Sequence, residues 1–175
     1  MVRTPFTHSL ERLQGIWKVD DIRYIGDLFT RFLLLIRHRG AFSAIAPHYA
    51  AFYELVSSCK WPEVNALPSV WLDQRLDDLL SSDKYSITRR SAGLPSCIMA
   101  LLVGTSPFDE TLLPRAMDRL LAVATDESGQ VSAHVHIHAM NALRVIFLDT
   151  SLKKRIMPYV ERGFLLAISR FDSDK

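Results

Sequence analysis

Apolar residues recur every three or four positions along almost the whole chain, with no convincing run of strand-like alternation. That period puts them on one side of an α-helix rather than on one face of a sheet. Ile22, Ile25, Phe29, Phe32, Leu33 and Ile36 line a first helix, which Gly40 ends after His38 and Arg39, basic residues suited to a helix C-terminus. Phe42, Ile45, Tyr49, Phe52, Tyr53 and Val56 mark a second, in which Pro47 fits only near the first turns or at a kink. After a connector over Lys60–Leu67, Pro68 opens a third with Trp71, Leu72, Leu76, Leu79 and Leu80 inward and Asp73, Asp77 and Asp78 toward water. A fourth is expected from Ser86 to Val103, a fifth through Leu112–Leu121, a sixth around Ile137–Phe147 and a seventh from near Ser151.

Successive helix pairs therefore span roughly 35–45 residues, the period of HEAT and armadillo repeats. Phe32, Leu33, Leu34, Leu35 and Ile36 in succession make that helix apolar on more than one side, as in the middle of a stacked array. A compact bundle and an open solenoid both fit these helices, and the sequence leans toward the second: the expected fold class is all-α, an armadillo/HEAT-like α-solenoid segment of about seven helices. Residues 1–175 read as one such segment of a much larger array, with 1–20 as a less ordered flank. A chain of 175 residues that is 49% hydrophobic has material for a sizeable core and is not disordered. Its mean hydropathy of +0.09 is high for a soluble protein. No membrane span accounts for this, because the most apolar stretch, Phe29–Ile36, is interrupted by Arg31 and bounded by Asp27 and Arg37. Exposed apolar faces at the ends of the array are the expected explanation.

Cys59 and Cys97 are too few for a disulfide scaffold or a thiolate zinc site, and they read as reduced packing residues of a cytoplasmic protein. A net charge of +2 does not announce a nucleic-acid binder, although 15 Arg against 6 Lys tilts the surface toward interface or phosphate contacts. Lys153, Lys154 and Arg155 read as a solvated helix start, and Trp17, Trp61 and Trp71 as core or connector anchors. There is no dinucleotide or phosphate loop, no H-E-x-x-H helix and no G-x-S-x-G elbow, so the chain carries no recognisable catalytic apparatus. His134, His136 and His138 could offer three imidazoles to zinc. On a helix, however, His136 points away from the other two, and exposed or packed histidines are the favoured reading.

The run Ile87–Pro95 (ITRRSAGLP) is the least ordinary stretch. Inside a helix, Gly93 and Pro95 would cost about 1 and 3 kcal/mol. The helix should kink there and leave the Ser91 carbonyl without its donor. Ser91, Ala92 and Gly93 would let a backbone or a phosphate come close, while Arg89 and Arg90 offer bidentate forks to phosphate or carboxylate. On composition alone, a kinked helix whose arginines pair with Asp77, Asp78 or Asp83 is the simpler account.

The longer stretch Lys84–Leu102 (KYSITRRSAGLPSCIMALL) closely resembles the signature of the THADA family, large armadillo/HEAT-type proteins. Arg37–Tyr49, Ala66–Leu80 and His138–Ile168 resemble that family's flanking segments in the same order. The resemblance implies a non-catalytic scaffold. It would support 2′-O-ribose methylation of the tRNA anticodon loop by an FtsJ-like methyltransferase partner, which binds S-adenosylmethionine and performs the chemistry. It also implies that Arg89, Arg90, Ser91, Ala92, Gly93, Leu94 and Pro95 touch tRNA or the partner. A second motif, His138, Asn141 and Arg144, is implied with an architectural role. The competing reading is a helical-repeat interaction module with no RNA role.

Overall fold

A computed structural model describes residues 15–35, 39–80, 93–128 and 130–172. Among them are seven helices of twelve residues or more and no strand: α1 (Val19–Leu35), α2 (Arg39–Ser57), α3 (Leu67–Leu80), α4 (Leu94–Thr105), α5 (Leu112–Ala124), α6 (Ala133–Leu148) and α7 (Val160–Asp172). Two short helical turns, Pro62–Asn65 and Lys153–Tyr159, lead into α3 and α7. The turns are built from local side-chain bonds. Ser132 caps α6 by accepting from the Val135 N–H at 3.4 Å. Asp109 accepts the Thr111 N–H and Asp149 the Ser151 N–H, each at 2.8 Å.

The fourth helix organises the interior. Ten of its twelve residues are buried, and it packs on α1, α2, α3, α5 and α6. Such a helix must be apolar all round, and Leu94, Ile98, Met99, Leu101 and Leu102 meet that demand. Its one hydroxyl in this interior, on Thr105, donates back to the Leu101 carbonyl at 2.9 Å. Gly104 sets how close α4 lies to α2. A Cβ there would overlap the Ala50 carbonyl oxygen and sit 2.9 Å from the Tyr53 Cβ. Gly26 plays the same part where α1 crosses Trp71, whose ring would lie 2.6–2.7 Å from an added Cβ at several atoms. Phe29, Tyr49, Phe52, Tyr53 and Trp71 close this corner as an aromatic cluster with centroids 4.9–5.9 Å apart.

The polar pairs between helices reveal a repeating register. Arg115 donates to Ser69 Oγ at 2.8 Å, Arg119 to Asp77 at 2.6 Å and Arg162 to Asp118 at 3.1 Å, over separations of 46, 42 and 44 residues. Arg115 also lies 3.4 Å from Asp73. Between α3 and α5 the partners ascend together, so those two helices run parallel, side by side, and α7 joins α5 through Arg162, while α4 packs on α2 and α6. Separations of 42 to 46 residues are those expected of stacked helix pairs.

Four expectations change. Asp73, Asp77 and Asp78 do not simply face water, since Arg115, Arg119 and Arg75 engage them. The fourth helix does not run through Gly93 and Pro95. It begins at Leu94 with Gly93 as its N-cap, so Pro95 sits in the first turn, where its missing N–H removes no bond. Gly40 belongs to α2 rather than ending α1. Pro47 lies well inside α2 on its exposed side. The reading of 1–20 as a flank falls outside the described residues as far as 14, and Val19 and Asp20 already belong to α1. Gly104→Ala should destabilise the protein by about 1–3 kcal/mol in denaturant unfolding, because the atom it meets is backbone. A Gly104→Ala midpoint equal to that of the parent would contradict this packing.

Candidate RNA- and partner-binding site

The run Ile87–Pro95 straddles the edge of the described structure. Arg89, Arg90, Ser91 and Ala92 lie outside the described residues. Gly93, Leu94 and Pro95 are all buried, and the Gly93 carbonyl accepts the Cys97 N–H at 3.0 Å to begin α4. Gly93 and the Leu94 and Pro95 side chains are thus held in the interior at the start of α4. Cys97, two residues on, is a free thiol wrapped by apolar neighbours. Burial pushes its pKa up to about 12, so it is a neutral packing group rather than a nucleophile.

Of the acids offered to Arg89 and Arg90 by the simpler account, Asp77 accepts from Arg119 and Asp78 lies 3.2 Å from Arg75. Asp83 is outside the described residues. Arg115 and Arg119, which the sequence gives no reason to single out, form with Ser69, Asp73 and Asp77 the best-connected polar seam described. Their i, i+4 spacing facing an i, i+4, i+8 row on α3 is the signal that would have found them.

The second motif divides along its helix. His138 is buried on the inner side of α6 beside Ala139, Ala142 and Leu143. Asn141 and Arg144 are exposed on the outer side, and among the described residues they make no hydrogen bond or ion pair. The histidines take three different roles. His134 is exposed, whereas His136 sets Nε2 2.9 Å from the Asp126 carbonyl oxygen and Nδ1 3.2 Å from that of Ser132. It thereby pins the connection after α5 to the start of α6. Among the described residues no three His, Cys, Asp or Glu side chains come together as a group able to hold a metal. Lys153 and Lys154 are exposed, while Arg155 lies 3.5 Å from Glu110 on the turn before α5. Trp71 is buried, and Trp17 and Trp61 pack partly against the core. Among the described residues no helix is long and apolar enough to cross a membrane.

This division predicts unequal mutational costs. Arg144→Ala and Asn141→Ala should each stay within about 0.5 kcal/mol of the parent in thermal or denaturant unfolding. Leu143→Ala on the buried side should cost about 2–5 kcal/mol.

Comparison with known proteins agrees with the motifs. The family model described as THADA/TRM732, DUF2428 matches residues 1–175. The chain is 36% identical over 173 residues to the tRNA (32-2′-O)-methyltransferase regulator THADA of Gallus gallus, covering 97% of this chain and 9% of that protein. It is 36% identical over 167 residues to the protein of the same name in Homo sapiens, covering 93% and 9%. The tRNA (32-2′-O)-methyltransferase regulator trm732 of Schizosaccharomyces pombe is 30% identical over 158 residues, covering 87% and 10%. The chain thus spans about a tenth of the length of the curated relatives it matches. No solved structure matches it. A match over all 175 residues places this chain in the THADA/TRM732 family.

Proposed function

We propose that the chain is a non-catalytic part of a cytoplasmic regulator that supports 2′-O-ribose methylation of the tRNA anticodon loop. The partner in this reading is an FtsJ-like methyltransferase, which holds S-adenosylmethionine and carries out the transfer. The observation that carries it is the match of the entire chain to relatives named as regulators of a tRNA methyltransferase. The sequence also lacks the strand-to-helix turns on which nucleotide-type cofactors are bound.

In this account the chain's contribution is positional. The segment Arg89–Ala92 leads into the helix that is most enclosed by the fold, through Gly93, Leu94 and Pro95. Arg89 and Arg90 contact phosphates of the tRNA, for which the guanidinium fork is well shaped. Gly93, Leu94 and Pro95 follow them in sequence and are buried at the start of α4, and the exposed Asn141 and Arg144 lie available on a second helix.

Arg89→Ala combined with Arg90→Ala in the full-length regulator should lower methylation at least tenfold in a mapping of tRNA ribose methylation. The fold should be unaffected, with an unchanged melting midpoint. Methylation at the parental level in a stably expressed double variant would refute the role of these arginines.

A further inference from the structure

A small, mostly polar cavity of about 30 Å³ opens where two helix connections meet. Its walls come from the end of α2, the turn Pro62–Asn65, the first turn of α3 and the turn before α5. Ser57, Asn65, Ser69 and Asp109 line it, with Pro68 and Leu112 as apolar parts of the wall. Ser57 is 6% exposed, and its Oγ is buried with no hydrogen-bond partner among the described residues. The helix end alone does not account for this, because the adjacent Ser58 hydroxyl donates to the Leu55 carbonyl at 3.1 Å. Folded interiors pair a buried hydroxyl with protein or with water, since an unpaired one keeps the whole cost of its lost hydration.

The groups around Ser57 narrow what can meet it. Asn65 donates from Nδ2 to the Ser57 and Cys59 carbonyls, which uses both amide hydrogens and leaves Oδ1 to accept. Asp109 accepts the Thr111 N–H and hydroxyl through Oδ1, at 2.8 and 2.6 Å, which leaves Oδ2 to accept. A cation here would share the site with the Arg115 guanidinium, already 2.8 Å from Ser69 Oγ, and an anion would share it with the Asp109 carboxylate. The volume suits a water molecule and excludes an organic ligand. A small neutral molecule that both donates and accepts is what these walls fit.

We infer that this cavity binds one water molecule, which accepts from the Ser57 hydroxyl and donates to Asp109 Oδ2 and Asn65 Oδ1. Three hydrogen bonds are usual for a water inside a protein. Ser57 and Asn65 belong to the connection between α2 and α3, and Asp109 to the one between α4 and α5. Among the described residues no direct hydrogen bond links Ser57 or Asn65 to Asp109. A bridging water is nearly as good enthalpically as a direct bond, so it acts as a joint between the two connections. This inference rests on the cavity and not on any role in RNA binding.

The test is a double-mutant cycle in the intact 175-residue chain, with Ser57→Ala, Asp109→Ala and the pair compared by thermal unfolding. Ser57→Ala should lower the midpoint by about 2–4 °C, because it removes a hydroxyl that has a partner. The double variant should lose less than the sum of the two single shifts, and the bonds from Asp109 to Thr111 cancel in that comparison. A Ser57→Ala midpoint equal to or above that of the parent would overturn the inference, since deleting a truly unpaired hydroxyl relieves a cost. Additive shifts would overturn it as well. A crystal structure fine enough to show ordered water should place one peak within hydrogen-bond distance of Ser57 Oγ and the Asp109 carboxylate. An empty cavity there, or a peak at metal–oxygen distances of about 2.0–2.6 Å, would contradict it.

Discussion

The close approach of α4 to α2 at Gly104 is the constraint on which the rest of the structure depends. A helix buried along ten of twelve residues cannot be supported by one neighbour. It needs neighbours on every side, and the distance to each is set by the smallest group between them. At Gly104 that group is a hydrogen, which brings the α2 backbone against α4 and lets Tyr53 reach the aromatic corner with Phe52 and Trp71. A side chain there would move α2 outward and open the corner. Close-packed interiors do not absorb such a shift without loss.

Around this apolar centre the first-layer helices are held in line by charge. The arginines of α5 reach back to α3, and Asp118 of the same helix reaches forward to Arg162 of α7. Each such exposed or half-exposed pair contributes little stability, of the order of 1 kcal/mol or less. Their value is in register. Arg115 bridges Ser69 and Asp73 and Arg119 bridges Asp73 and Asp77, so the pairs fix which sides of α3 and α5 meet.

Much of this was legible in the sequence. The helix count and the strand-free class follow from the spacing of Trp71, Leu72, Leu76 and Leu79 on α3 and of Leu112, Leu113, Ala116 and Met117 on α5, where burial imposes period and apolarity together. The aspartates of α3 were less legible, because a periodic pattern separates inner from outer residues but does not say which outer residues meet a neighbouring helix. The start of α4 was misread for a related reason. Gly93 and Pro95 are unfavourable inside a helix yet ordinary at its N-terminus, and the apolar pattern alone does not fix where a helix begins. Gly104 and Gly26 gave no signal, since a close backbone approach has no local signature. The candidate site was legible as chemistry, in two adjacent arginines before a small-residue run, but the inward placement of Gly93, Leu94 and Pro95 depends on tertiary packing.

The same packing gives the site its physical sense. Its three described residues, Gly93, Leu94 and Pro95, are buried where the most enclosed helix of the fold begins. In the proposed function, Arg89 and Arg90 meet the backbone of tRNA. Neutralised phosphates release counterions, so affinity should fall with salt in proportion to the number of contacts. The direct measurement is tRNA binding by the regulator–methyltransferase complex across a range of salt, with and without Arg89 and Arg90. The account predicts that removing both makes the log–log slope shallower by about 1.5, close to two phosphate contacts. An unchanged slope with tRNA affinity intact would contradict it.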